Sequence, residues 1–165
     1  MIYVGIDPGL DGGIALIEES QGSTLFDIPV IFEKTKKGKR RRYCIQAICE
    51  IFRHNILKYS REEVFVVLEK AQAMPGQGVS SMFSTGRGFG MYEGILSAFQ
   101  VRHDVVHPKK WQKEFSISGD TKAKAFQVAQ QLFPGQQFTT TRGRLLTGRC
   151  DSVLMAEYGR RLYKP

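Results

Sequence analysis

The sequence predicts an α/β fold built on one mixed five-stranded sheet flanked by helices, and three observations carry that reading. Short β-rich runs at 2–7, 12–17 and 23–30 follow one another at the spacing of an antiparallel meander. Val64-Phe65-Val66-Val67-Leu68 is apolar on both faces and closes on Glu69, the pattern of a buried, parallel strand. From there on, stretches with helical spacing alternate with the remaining strand signal.

Taken in order, Ile2 to Asp7 is a strand stopped by Pro8-Gly9, and Gly12 to Ile17 is its hairpin partner. Ser23 to Val30 supplies a third strand. Lys34 to Arg42 then sets seven cations in nine positions with no apolar residue, which reads as an exposed loop or arm. Tyr43, Ala47, Ile48, Ile51 and Ile56 share one face of a helix that ends near Lys58-Tyr59-Ser60. After the buried strand, Ala73 to Gly90 carries five glycines among serines and methionines and is expected to be a loop, with helix resuming over Met91 to Phe99. Val101 to Val106 fits an edge strand ended by His107-Pro108. Thr121 to Phe133 is a helix with Asp120 as N-cap and Pro134-Gly135 as stop, and Asp151 to Leu162 is the last helix.

The chain has 165 residues, 42% of them hydrophobic and 24% charged, which is enough for an ordinary core in a single domain spanning 1–165. Lys plus Arg number 24 against 16 Asp plus Glu, a net charge of +8, so the expected partner is polyanionic, nucleic acid first. No apolar run approaches the ~20 residues of a membrane span, and no secretory signal layout opens the chain, so a cytoplasmic setting is expected. Cys44, Cys49 and Cys150 form no CxxC pair and have no histidine at zinc-finger spacing.

Three carboxylates stand out because each terminates an element with an apolar interior. Asp7 ends the first strand, Glu69 ends the buried strand, and Asp151 opens the last helix. If the first and fourth strands are neighbours, Asp7 and Glu69 lie side by side, and a packed terminal helix brings Asp151 to them. Three converging acids repel one another unless cations neutralise them. Hard divalent ions take oxygen ligands, and a pair of Mg²⁺ or Mn²⁺ about 3.5–4 Å apart suits phosphodiester cleavage. Taken singly, each acid also has a plain alternative: turn former for Asp7, solvated strand end for Glu69, N-cap for Asp151.

Gly5-Ile6-Asp7-Pro8-Gly9-Leu10, Val67-Leu68-Glu69-Lys70, Gly88-Phe89-Gly90-Met91-Tyr92-Glu93-Gly94-Ile95-Leu96, Pro108-Lys109-Lys110-Trp111 and Gly148-Arg149-Cys150-Asp151-Ser152-Val153-Leu154-Met155-Ala156-Glu157-Tyr158-Gly159 occur in that order. Together they resemble a RuvC-type Holliday junction resolvase, in the branch that includes the chloroplast resolvase and many phage and prophage proteins. The resemblance implies a ribonuclease H-like fold, a homodimer, and Mg²⁺-dependent paired nicks across a four-way DNA junction in a bacterial or phage setting. It also implies that Asp7, Glu69 and Asp151 are metal ligands for two ions, with Lys122 or the nearby Lys124 beside the scissile phosphate. Gly86 to Gly94 would lie near the junction centre and dimer seam.

One departure concerns the metal site. The family carries a further acid or a histidine three or four residues before the last aspartate, where this chain has Gly148 and Thr147. Residues three and four apart share a helical face, so that spacing delivers a second ligand to the same metal. Lys36, Lys37, Lys39, Arg40, Arg41 and Arg42 are candidate phosphate contacts, joined by Arg87 and Arg149 and flanked by Arg142 and Arg144. Phe83, Phe89 and Tyr92 are stacking candidates, with core packing the plainer role for at least two of them. Trp111 reads as a packing residue and Asp11 as a turn former. Glu93 is a weak extra ligand candidate, and His54, His103 and His107 have no assigned role. Two other functions compete. An ATPase of the actin and sugar-kinase type shares the first motif, but it needs two such domains and a second phosphate loop. A junction-binding protein that lost catalysis with the missing ligand keeps the rest of the pattern.

Overall fold

The computed structural model describes residues 1–19, 22–36, 38–72, 76 and 78–163. Its main sheet has five strands: β1 (Ile2–Asp7), β2 (Gly13–Glu18), β3 (Gly22–Asp27), β6 (Val64–Glu69) and β7 (His103–Val106), in the order β3-β2-β1-β6-β7. β1 to β3 form the antiparallel meander, while β6 and β7 add to β1 in parallel, so the sheet is mixed as expected.

Successive residues of β1 point to opposite faces and serve two cores. Tyr3 joins Phe65, Val67, Trp111 and Met155 on one face. That face is covered by α3 (Pro108–Glu114), α4 (Thr121–Leu132) and α5 (Thr147–Leu162). Val4 and Ile6 join Ile48, Phe52, Leu68, Tyr92 and Leu96 on the other. There α1 (Ile45–Ile51), prolonged by a π-helical turn over Phe52–Ile56, packs with α2 (Val79–Ala98). α4 starts as predicted, with Asp120 accepting from the Ala123 amide at 3.2 Å.

Three sequence expectations are corrected. The last helix opens at Thr147, which puts Asp151 in its second turn and not at its N-cap. The cation run is an antiparallel hairpin, β4 (Val30–Thr35) with β5 (Gly38–Tyr43), separate from the main sheet. Its alternation is hidden because charged residues occupy both faces of β5; Tyr43, buried at the strand's end, is the anchor. The glycine-rich stretch is helical from Val79 onward. Glycine disfavours helix by about 1 kcal/mol per residue, and tertiary packing overrides that preference: Gly88 is buried where the Tyr43 hydroxyl crosses the helix, a spot with no room for a Cβ.

Candidate active site

β1 and β6 run parallel with Ile6 opposite Leu68, so Asp7 and Glu69 emerge together from the same edge of the sheet. Asp151 reaches them because α5 lies almost on the backbone of β1 and β2. A Cβ on Gly5 would stand 1.9 Å from the Ser152 carbonyl oxygen, and one on Gly148 would stand 2.3 Å from the Gly12 carbonyl carbon. Only glycine permits that approach, which positions the first turns of α5 against the Pro8–Gly12 turn.

The three acids are half-buried at the cleft, and each binds its proton more tightly than usual. For Asp7, desolvation outweighs the opposing hydrogen bond from the Gly9 amide, and the Asp11 charge adds to the rise. Glu69 is pushed up to about 7 by desolvation and then by the Asp7 charge. Asp151 is raised by desolvation and by both other acids, against the pull of Lys122. The charge of Asp7 thus acts on both Glu69 and Asp151, which marks the three as one electrostatic cluster. Among the described residues no group of three acid, histidine or cysteine side chains stands close enough to cage an ion as it is arranged here. Asp7 Oδ1 instead accepts from the Gly9 amide at 3.0 Å, and Glu69 Oε1 accepts from Trp111 Nε1 at 2.9 Å. The donor set, all carboxylate oxygen and short of positive charge, fits a hard divalent cation.

Trp111 therefore does more than the packing role the sequence suggested. Its ring is 1% exposed in the core while its N–H orients Glu69. The sequence signal was present in the Pro108-Lys109-Lys110-Trp111 motif, but the partner 42 residues away was not. Lys122, in the first turn of α4, is the cation whose charge acts on Asp151. The amine of Lys124 points to the Ser118 hydroxyl at 3.5 Å. Thr147 opens α5 and lines a groove with Lys122 and Arg144. Gly148 has no space for any side chain, so of the two positions before Asp151 only Thr147 can carry a ligand.

The candidate phosphate contacts fall into two sets. Lys36, Lys39 and Arg40 are exposed on the hairpin, and Arg87 is exposed on α2; Lys37 lies outside the described residues. Arg41 is held by Asp11 through two bonds of 2.7 and 2.8 Å, and Arg42 by Glu33 at 2.9 and 3.0 Å. Asp11, expected to shape a turn, thus also ties the hairpin to the loop after Asp7, and Arg41 holds its carboxyl below the usual range. Arg149 is committed to Asp27 at 2.7 and 2.9 Å and to the Gln137 carbonyl at 3.2 Å, which ties α5 to β3. Of the stacking candidates, Tyr92 is fully buried and Phe89 packs on the core, leaving Phe83 exposed. Glu93 is exposed on α2. His107, without a role from sequence, caps α3 by accepting from the Lys109 amide at 3.4 Å and contacts Gln72.

No family model matches the sequence. No curated protein matches it either. The fold, however, is similar to that of Thermus thermophilus RuvC. The structure of that protein in complex with a Holliday junction substrate superposes with a TM-score of 0.57 at 12% identity, covering 98% of this chain and 96% of that one. A second Thermus thermophilus RuvC structure gives 0.54 at 14% identity over the same shares. The chain thus has a RuvC-like, ribonuclease H-like fold over nearly its whole length.

Proposed function

We propose that the chain is a structure-selective endodeoxyribonuclease that resolves four-way DNA junctions by paired symmetric nicks, acting as a homodimer with divalent metal ions. The observation that carries this reading is the cluster of Asp7, Glu69 and Asp151, each raised first by burial, with the Asp7 charge acting on both of the others and the Glu69 charge on Asp151. A RuvC-like fold around that cluster supports branched DNA as the substrate. A cytoplasmic, bacterial or phage setting belongs to the same proposal.

Asp7, Glu69 and Asp151 would hold Mg²⁺ or Mn²⁺, two ions per site, with Thr147 where a fourth side chain would stand. When bound, the metal supplies Lewis acidity at the phosphate and an activated water. The residues of the chain do the rest. Trp111 fixes the Glu69 carboxylate, the Gly9 amide fixes Asp7, and Lys122 brings positive charge to the side of the cleft where Asp151 faces a scissile phosphate. The +8 net charge and the exposed cations of the hairpin draw the polyanion in. Two nicks across a two-fold substrate require two such sites, hence the dimer.

A second reading has its own observation. Thr147 lacks the carboxylate or imidazole of the related pattern, which favours a junction-binding protein with weak or absent cleavage. Incubation with an end-labelled four-way junction and Mg²⁺ or Mn²⁺ separates the two. Symmetric nicks in opposing strands support resolution, tight binding without nicks supports the second reading, and neither binding nor nicking rejects both.

A further inference from the structure

The β4–β5 hairpin has a property that phosphate neutralisation leaves unexplained. Phe32 is 66% exposed and its neighbour Ile31 51% exposed, on a ribbon whose other strand is almost wholly cationic. In the register of the hairpin Phe32 stands opposite Arg41 and Ile31 opposite Arg42, so each apolar side chain shares its face with a guanidinium. A bare aromatic ring amid cations suits a surface that is both anionic and flat, which describes a nucleic-acid strand with an unstacked base.

The ribbon is also fastened at the cleft. Tyr43 donates to the Pro8 carbonyl at 2.9 Å, Arg41 pairs with Asp11, and Arg40 reaches the Ser80 hydroxyl on α2 at 3.3 Å. A two-stranded hairpin is marginal alone, and these ties hold it upright beside the turn that follows Asp7. Grooves flank it on both sides. One, of about 770 Å³, runs between Lys39, Arg40 and the serines of α2. The other, of about 480 Å³, is lined by Lys122, Arg144 and Thr147 together with Asp11 and Asp27. Arg41 and Asp11 border both, so the hairpin is the wall between two grooves, the second of which holds Lys122 and Thr147 of the first turns of α4 and α5.

We infer that the hairpin parts two DNA strands at the branch point, one in each groove, and that Phe32 stacks on a base left unpaired there. This rests on the junction reading above and adds to it a strand-separating element with a named contact. Nothing in the sequence marks Phe32, because an isolated aromatic before a cation run looks like any strand residue.

The test uses a four-way junction carrying 2-aminopurine at the branch, bound in Ca²⁺ so that strands stay intact. Binding of the unaltered chain raises the fluorescence. Phe32→Ala, at an exposed site that the fold does not depend on, loses most of that rise and weakens binding at least about fivefold, the low end for one stacked base. Phe32→Trp restores the rise, and its indole emission is quenched on binding beyond any change in the unaltered chain, whose single tryptophan is the buried Trp111. A full 2-aminopurine rise with Phe32→Ala overturns the inference. Nicking by the unaltered chain without any rise also overturns it while leaving junction resolution standing, and failure to bind the junction at all overturns both.

Discussion

Two clusters of like charge stand on either side of the Pro8–Gly12 turn, and the molecule treats them in opposite ways. The hairpin cations are exposed, and two of its arginines have their own acids, Asp11 and Glu33. The three acids of the cleft are half-buried, and among the described residues no lysine, arginine or histidine pairs with any of them; the only cation felt is Lys122, at a distance. Exposed like charges are screened by water and salt, so a cation cluster costs little and has several uses. Buried like charges are not screened, and a fold retains them where something absent from the chain completes them. The contrast separates exposed cations, two of them paired with acids, from a half-buried acid cluster that no cation pairs with among the described residues.

The largest expected effect follows from removing a charge on the buried side. Asp7→Asn lowers junction nicking more than about 100-fold, beyond the usual loss from a group that only orients a ligand, and leaves affinity in Ca²⁺ equal or higher. Equal loss of nicking and binding would make Asp7 structural. Trp111→Phe keeps the ring in the core and removes the N–H that holds Glu69. Nicking should drop by about 10- to 100-fold with a raised Mg²⁺ requirement, measured as rate against Mg²⁺ concentration.

On the exposed side the effect is graded. Neutralising Lys39 and Arg40 should flatten the slope of log affinity against log salt by roughly 0.9 for each phosphate that the hairpin no longer neutralises, with the nicking rate at saturation unchanged. An unchanged slope would place the DNA elsewhere. The smallest effect is a gain. Thr147→Asp adds an oxygen ligand and a charge at the one position before Asp151 that has space, so nicking should rise a few-fold and the Mg²⁺ requirement fall. Gly148→Asp is the control: its side chain meets the backbone of Asp11 and Gly12, so thermal stability should fall and activity should not rise.

Part of the site is legible in the sequence alone. Asp7 and Glu69 announced themselves because each closes a run that is apolar on both faces, and a strand's residue order alone puts its last side chain at the sheet edge. Asp151 stands out in the sequence as an acid opening the last helix, but α5 begins one turn earlier at Thr147, and only its packing on β1 and β2 brings Asp151 to the other two. The hairpin, the early start of α2 and the role of Trp111 were hidden for one reason. Each depends on a contact between distant residues, Tyr43 with Pro8 and Gly88 or Trp111 with Glu69, that no local pattern encodes. That Lys122 acts on Asp151 while Lys124 turns to Ser118, and that Gly148 has no room for a side chain, likewise follow from the packing of α4 and α5.

Thermal unfolding between pH 4.5 and 8, in chelator and in Mg²⁺, shows whether the three acids hold negative charge that divalent cations neutralise. A carboxyl that holds its proton more tightly in the folded chain contributes stability that is complete below the unfolded pKa and disappears as pH rises through the folded one. Glu69, moved up to about 7, alone accounts for a loss on the order of 3 kcal/mol across that window. The unaltered chain in chelator should lose stability from pH 4.5 to 8, Mg²⁺ should restore it at pH 8, and Asp7→Asn should show a shallower fall and a smaller response to Mg²⁺. A flat profile in chelator, or the same Mg²⁺ response in the unaltered chain and in Asp7→Asn, would contradict the account.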